Sequence, residues 1–175
     1  MKMQPIVIAI TFSLMVLSSC KQKQQEIVEV VKEDIVEEKV DLINSEFPEA
    51  KEEVMKTFGE IGQSILDGDI DKLISFHAYG PKFTEFNEGK PRVGSKENEE
   101  TERSVFGNVT EVVKFDANDL EVAVYGDVAN MTFHSDFHLK FGEDLVVVNN
   151  QISLLFVKTD NGWKIVHEHH SPLKQ

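Results

Sequence analysis

The sequence predicts an α+β domain with helices covering one face of a curved antiparallel sheet. Three observations point there. Apolar residues recur at helical spacing early in the folded part, the period switches to two from Val109 onward, and the later strand-like runs are joined by short turn signals. A chain of 175 residues is long enough for one domain with a real core and too short for two comfortable ones.

The folded part begins near Phe47-Pro48. Pro48 suits the first turn of a helix, and Glu49, Glu52 and Glu53 lie favourably near its positive end. Val54, Phe58, Ile61, Ile65 and Leu66 keep a helical period up to Gly68. A shorter helix follows Asp69, with Ile70, Leu73, Ile74 and His77 on one stripe, and Tyr79-Gly80-Pro81 ends it. Residues 83–86 read as a short strand, Asn87-Glu88-Gly89 as a turn, residues 90–95 as a loop and residues 96–106 as a polar helix.

Residues 109–115 and 120–125 are strand-like, and Tyr125-Gly126-Asp127 turns the chain. Val128–Phe141 alternates clearly, with Ala129, Met131, Phe133, Phe137, Leu139 and Phe141 on one side. After the turn Phe141-Gly142-Glu143-Asp144, residues 145–158 read as one long strand. Asp160-Asn161-Gly162 is a hairpin signal, and residues 163–170 close the sheet. Phe76, Phe83, Phe86, Phe133 and Phe156 are candidates for the core or for the lining of a pocket.

The N-terminus is set apart from this fold. Lys2 provides a positive start, Ile6 to Leu17 is an apolar run broken only by Thr11 and Ser13, and Ser18 and Ser19 lead into Cys20. That is a secretory signal layout, too short to span a membrane comfortably. Leu17-Ser18-Ser19-Cys20 resembles a bacterial lipobox, which implies residues 1–19 as the signal peptide and Cys20 as the lipid-bearing first residue. Cys20 is the only cysteine of the chain, so no disulfide explains it. The expected location is the bacterial cell envelope, with the membrane contacted through acyl chains on Cys20. Residues 20–45 then form a charged tether that reads as a solvated spacer or a marginal amphipathic helix, and residues 46–175 form the domain. The formal net charge of −13 argues against nucleic acid or an anionic surface as partner, since phosphate binding needs a basic footprint.

The order of elements, ending in Gly-Trp-Lys-Ile-Val-His-x-His-x-Ser over Gly162 to Ser171, resembles the SnoaL-like branch of the nuclear-transport-factor-2-like superfamily. The closing strand is similar to that of the calmodulin-dependent kinase association domain at Trp163, His167, His169 and Ser171. The resemblance implies a cone with a pocket at its wide end and dimers or rings formed through the sheet, with a homodimer expected. It does not imply one activity, because the superfamily holds isomerases, dehydratases, cyclases, ligand binders and assembly modules. Some association-domain relatives place pocket arginines at positions that correspond here to Leu154 and His170, so carboxylate recognition is not carried over.

Strict alternation on the closing strand puts Trp163, Ile165, His167 and His169 on one face and Val166, Glu168 and His170 on the other. The resemblance turns the Glu168/His170 face into the cone, where a carboxylate beside an imidazole could contact a ligand or transfer a proton. His77 and Tyr79 are the helix-side candidates to meet that ligand. His134, Asp136 and His138 share a strand parity that suits metal ligation, but they lie opposite the apolar side of their strand and on a single element, so no metal and no cofactor is expected. The sequence carries no phosphate-binding Gly-rich loop, no G-x-S-x-G elbow and no H-E-x-x-H. The leading expectation is a lipid-anchored domain that binds a small apolar or amphipathic ligand or mediates assembly, without assumed catalysis. The alternative is a small isomerase- or cyclase-type enzyme using Glu168 and His170.

Overall fold

The structure is a computed structural model that describes residues 39–174. The signal segment, Cys20 and most of the tether lie outside the described residues. The folded unit begins at Asp41, whose carboxylate accepts from the backbone N–H groups of Ile43 and Asn44 to close a turn. Three helices and six strands follow: α1 (Pro48–Asp67), α2 (Ile70–Ser75), β1 (Thr84–Asn87), α3 (Ser95–Phe106), β2 (Glu111–Tyr125), β3 (Val128–Phe141), β4 (Asp144–Val148), β5 (Asn150–Thr159) and β6 (Gly162–Pro172). Among the described residues no helix is long and apolar enough to cross a membrane.

Local chemistry sets the helix ends. Pro48 opens α1, and Gly68 closes it in the left-handed conformation at φ 68°, so that Gly68 and Asp69 can donate back to Ile65 and Ser64. Asp69 then caps α2 by accepting from the Lys72 N–H at 3.0 Å. Gly107 ends α3 where a Cβ would sit 2.4 Å from the Arg103 carbonyl oxygen, a contact no side chain could make. Along α1, Val54, Ile61 and Ile65 face the sheet, whereas Leu66, at the end of the predicted stripe, is exposed.

The sheet runs β1-β6-β5-β3-β2, with β4 also paired to β3. It is mixed rather than wholly antiparallel, because β1 lies parallel to β6 and takes the edge position outside it. The two runs predicted at 109–115 and 120–125 are one strand, β2, bent by irregularities between Val112 and Lys114 and between Asn118 and Glu121. The single strand predicted over 145–158 is interrupted instead at Asn149. Both halves keep one register along β3, and the break is local: the Ser135 hydroxyl donates to the Val148 carbonyl and accepts from the Asn150 N–H, each at 2.9 Å. A side chain on β3 thus takes two backbone groups that the ladder would otherwise pair.

The core lies between α1 and the inner face of β3, β5 and β6. Ala129, Met131, Phe133, Phe137 and Leu139 alternate inward as the sequence predicts. Phe156 is fully buried at its centre, and Phe76 and Phe83 are core residues as well. Phe86 is not: it is 45% exposed and meets His167 and His169 edge-on. The Glu53 carboxylate on α1 accepts from Trp163 Nε1 at 2.9 Å and from Lys158 Nζ at 2.6 Å, which ties the helix to the β5–β6 hairpin. Phe156→Ala should therefore destabilise the domain by about 3–5 kcal/mol, read as a shift in the denaturant midpoint with little change in slope. A loss below about 1 kcal/mol would mean that the centre of the core lies elsewhere.

Candidate functional site

The site begins with a bulge. Between β5 and β6 the register steps from Leu155 opposite His167 to Phe156 opposite Ile165, leaving Val166 without a partner. Strict alternation along β6 therefore fails at that residue. Before the bulge Trp163 and Ile165 point inward; after it Glu168 and His170 do, while His167 and His169 fall on the outer side. The expected inward turn of Glu168 and His170 is what the structure shows, but Trp163 and Ile165 share that face rather than the one carrying His167 and His169.

Three other elements bring polar groups to the same place. Residues 76–78 run beside β6, with Ile165 donating to the Phe76 carbonyl and Ala78 donating to the Ile165 carbonyl, and this fixes the His77 ring. His77 Nε2 lies 2.8 Å from Glu168 Oε1, so it is the donor to the carboxylate. β1 sets Glu85 directly opposite Glu168 in the parallel register, and both carboxylates are buried, at 3% and 4% exposure. From α3, the fully buried Asn98 amide donates to Glu85 Oε2 at 2.9 Å and to Glu168 Oε2 at 3.2 Å. Its carbonyl accepts from Tyr79 Oη at 2.5 Å, and the Tyr79 ring stacks on His77 with centroids 5.0 Å apart. His170 Nε2 stands 3.5 Å from Glu168 Oε2, an ion-pair distance too long for a good hydrogen bond, and among the described residues neither it nor His77 Nδ1 has a hydrogen-bond partner.

These groups meet a cavity of about 80 Å³ whose wall is otherwise apolar, with Phe58, Phe115, Phe133 and Phe137 prominent in it. Glu102 and Phe106 of α3 complete the wall. Burial works against charge on Glu168, but the adjoining His170 and His77 outweigh it and hold the carboxyl below the usual carboxylate range. The same contacts act in reverse on the histidines. Burial opposes their protonation, yet the Glu168 carboxylate raises both His77 and His170 above the ordinary imidazole value. Glu102 goes the other way: desolvation, then the Glu168 charge, push it up to about 8. One pocket thus holds two carboxyl groups in opposite protonation states at neutral pH.

Of the residues singled out in the sequence, His77, Glu168 and His170 come together at the cavity. Tyr79 stands behind His77, positioned on Asn98, and is not part of the wall. Leu154 pairs with Glu168 across β5 and β6 and contributes apolar wall, and among the described residues no arginine lines the cavity. His134, Asp136 and His138 do not converge. His138 and Lys114 both pair with Asp136, while His134 faces Asp119 at 3.8 Å. Glu85, Asn98 and Glu102 were not legible as site residues. A lone glutamate in a four-residue strand and two polar positions on a polar helix give no periodic signal.

Comparison with known proteins follows the same outline. The family model for the SnoaL-like domain matches residues 54–175. The chain belongs to the SnoaL-like family. Solved structures of the nuclear-transport-factor-2-like group share its fold at low identity. A candidate dehydratase of that family from Streptomyces avermitilis is 23% identical with a TM-score of 0.65, over 74% of this chain and 100% of the other. A candidate aromatic ring hydroxylase from Novosphingobium aromaticivorans is 18% identical with a TM-score of 0.62, over 75% and 94%. A candidate calmodulin-dependent kinase II association domain from Exiguobacterium sibiricum is 12% identical with a TM-score of 0.61, over 75% and 99%. No curated protein matches the chain in sequence.

The shifted groups make stability depend on pH. Glu102, His77 and His170 bind protons more tightly in the folded SnoaL-like domain than in the unfolded chain. The Glu102 contribution is complete below about pH 4.5 and is lost as the pH rises through about 8, and those of His77 and His170 are complete below about 6.5 and are lost as the pH rises through their raised values. Glu168 has the opposite sign and loses its contribution as the pH falls below about 4.5. The melting temperature should peak near about pH 5 and fall towards about pH 9, and Glu102→Gln should flatten the alkaline limb. A profile that is level from about pH 6 to 9, or one that Glu102→Gln leaves unaltered, would contradict this account of the pocket.

Proposed function

We propose that this SnoaL-like domain binds a small, largely apolar molecule whose polar end is held by His77, Glu168 and His170. The observation that carries the reading is the buried imidazole–carboxylate–imidazole array on an otherwise aromatic and aliphatic cavity. An apolar wall rewards an apolar body, and a few convergent polar groups fix its orientation. Size narrows the occupant. Drug-sized ligands use cavities of about 300 Å³ or more, so a space of about 80 Å³ admits only a few heavy atoms unless the wall moves. α3 is the element to move, because it closes the wall with only Glu102 and Phe106.

Proton transfer on the bound molecule is the second reading, and one observation favours it. Glu168 lies within hydrogen-bond reach of a histidine while Glu102 in the same cavity is held neutral, which is the separation of acid and base that isomerase- and dehydratase-type chemistry needs. The reading also includes export to a bacterial envelope on a lipid carried by Cys20, and a homodimer. The exposed Phe86 on β1 and the exposed Leu145, Val146 and Val147 on β4 support the presence of a second copy.

Native mass spectrometry of the protein purified from cells tests the binding reading. The expected result is a mass above the chain's own that is lost on denaturation, and that His170→Ala reduces by about tenfold or more in occupancy. A clean apo mass, for both wild type and a sample incubated with cell extract, would remove the pocket from consideration. With the ligand identified, deuterium uptake at its carbon atoms in D2O separates the two readings. Glu168→Gln abolishes uptake if the array moves protons, and no uptake occurs with any variant if it only binds.

A further inference from the structure

We propose that Glu85, Glu168 and His170 form a binding site for one divalent transition-metal ion. One ligand atom from each residue lies within 4.8 Å of the other two. A tetrahedral ion with bonds of about 2.0–2.1 Å needs its ligand atoms about 3.3 Å apart. His170 Nε2 and Glu168 Oε2, at 3.5 Å, are already close to that spacing. Closing the Glu85 oxygen from within 4.8 Å to that spacing is the remaining adjustment.

The backbone builds this grouping. Glu85 and Glu168 are register partners on parallel strands, and His170 follows Glu168 by one full pleat on the same face. Two carboxylates directly opposite each other on a sheet face repel, and burial raises the cost. The cluster therefore needs positive charge close to the two carboxylates; the Asn98 amide that bridges them is neutral, and His170 is the member of the cluster that can supply a nitrogen ligand. That Nε2 is buried, has no hydrogen-bond partner among the described residues and stands against Glu168. An ion entering the cluster displaces the proton from that nitrogen, and the imidazole lone pair with two carboxylate oxygens then forms a ligand set.

The surrounding contacts orient the ligands as a metal site requires. The outer oxygen Oε1 of Glu168 accepts from His77, Oε1 of Glu85 accepts from Asn87 at 2.9 Å, and Asn98 spans the remaining oxygens of both. Each carboxylate is thereby fixed in rotation while keeping a lone pair for an ion. The mixed nitrogen and oxygen donors select a transition ion such as Zn2+, Mn2+ or Co2+ over Mg2+ or Ca2+, which favour oxygen alone. Three protein ligands leave a fourth position, and Glu168 and His170 line the cavity, so that position faces it. The inference reaches beyond the binding reading and does not depend on it.

The test uses the full chain, stripped with EDTA and exchanged into chelator-free buffer. Zn2+ is titrated calorimetrically, and Co2+ is followed by its visible d–d absorption. One equivalent per chain is expected, with a Co2+ band of the intensity typical of low coordination number. Glu85→Gln and His170→Gln should each weaken Zn2+ binding by about tenfold to a hundredfold or more. His138→Gln, on the outer face, should leave it unchanged. Circular dichroism confirms the fold of each variant, and should Glu85→Gln fail to fold, His170→Gln decides alone. Absence of saturable one-to-one binding overturns the proposal, as does binding that His138→Gln removes and His170→Gln does not. Ligand retention measured in the presence of EDTA is unaffected by either outcome, so failure of the metal site and failure of the pocket are read separately.

Discussion

An ionised carboxylate inside an apolar domain has to be compensated from several directions at once, and Glu168 imposes that requirement on this one. Its in-register neighbour Glu85 doubles the demand, since the two side chains emerge side by side from parallel strands. Removing one partner from a buried pair of this kind typically costs about 3–5 kcal/mol, a large part of the stability of a small domain. The partners come from separate elements: His77 from the segment after α2, Asn98 from α3, His170 from β6 itself. Each of those elements is consequently held to a specific place by electrostatics as well as by packing. α3 depends on this most, because its buried face offers Asn98 where an ordinary helix would offer leucine.

Much of the fold was legible because burial on one face of a strand writes a period of two into the chain. β3 shows it over its whole length, and the last hairpin adds a glycine turn. The misreadings have physical reasons. A bulge adds one residue without any compositional mark, so Val166 looks like another step in an alternation that in fact reverses there. The break at Asn149 arises from a hydroxyl on a different strand, and a sequence scan along residues 145–158 has no access to Ser135. The parallel edge strand β1 depends on where the chain returns after α2, which local periodicity does not encode. In the site, histidines on a strand draw attention by their rarity. Glutamates in a chain with 31 acidic residues do not, and Glu85 and Glu102 were lost in that background.

The six histidines show how little residue type decides by itself. His134 and His138 sit near carboxylates just as His77 and His170 do, and at similar distances in the case of His138. The difference is solvent. On the outer face Asp136 is drawn below its usual range by Lys114 first and His138 second, and water remains available to both. On the inner face the same pairing displaces water, and the charges can be balanced only by one another. His167 has a third role, in which Nδ1 meets both the hydroxyl and the carbonyl of Thr84 and fastens β6 to the edge strand. Alternation across a single strand thus separates a fastening histidine from a cavity-facing one three residues later, and the Val166 bulge decides which is which.

The bulge also links the rigid and the adjustable parts of the molecule. Before it, Trp163 and Ile165 lock β6 into the core and onto α1 through Glu53. After it, the same strand carries the charged array, facing α3 across the cavity. That wall is held by polar contacts: Ser95 exchanges hydrogen bonds with Gly80, Tyr79 reaches Asn98, and Arg103 bridges to Asp71 on α2. Polar contacts of this kind are individually worth about 1 kcal/mol and exchange readily with water. The core behind Phe156 has no comparable freedom, because it is held by close packing. The domain therefore places its charge on a fixed strand and couples it through Asn98 to the opposing helix, so any movement of α3 is felt at Glu168 and Glu85.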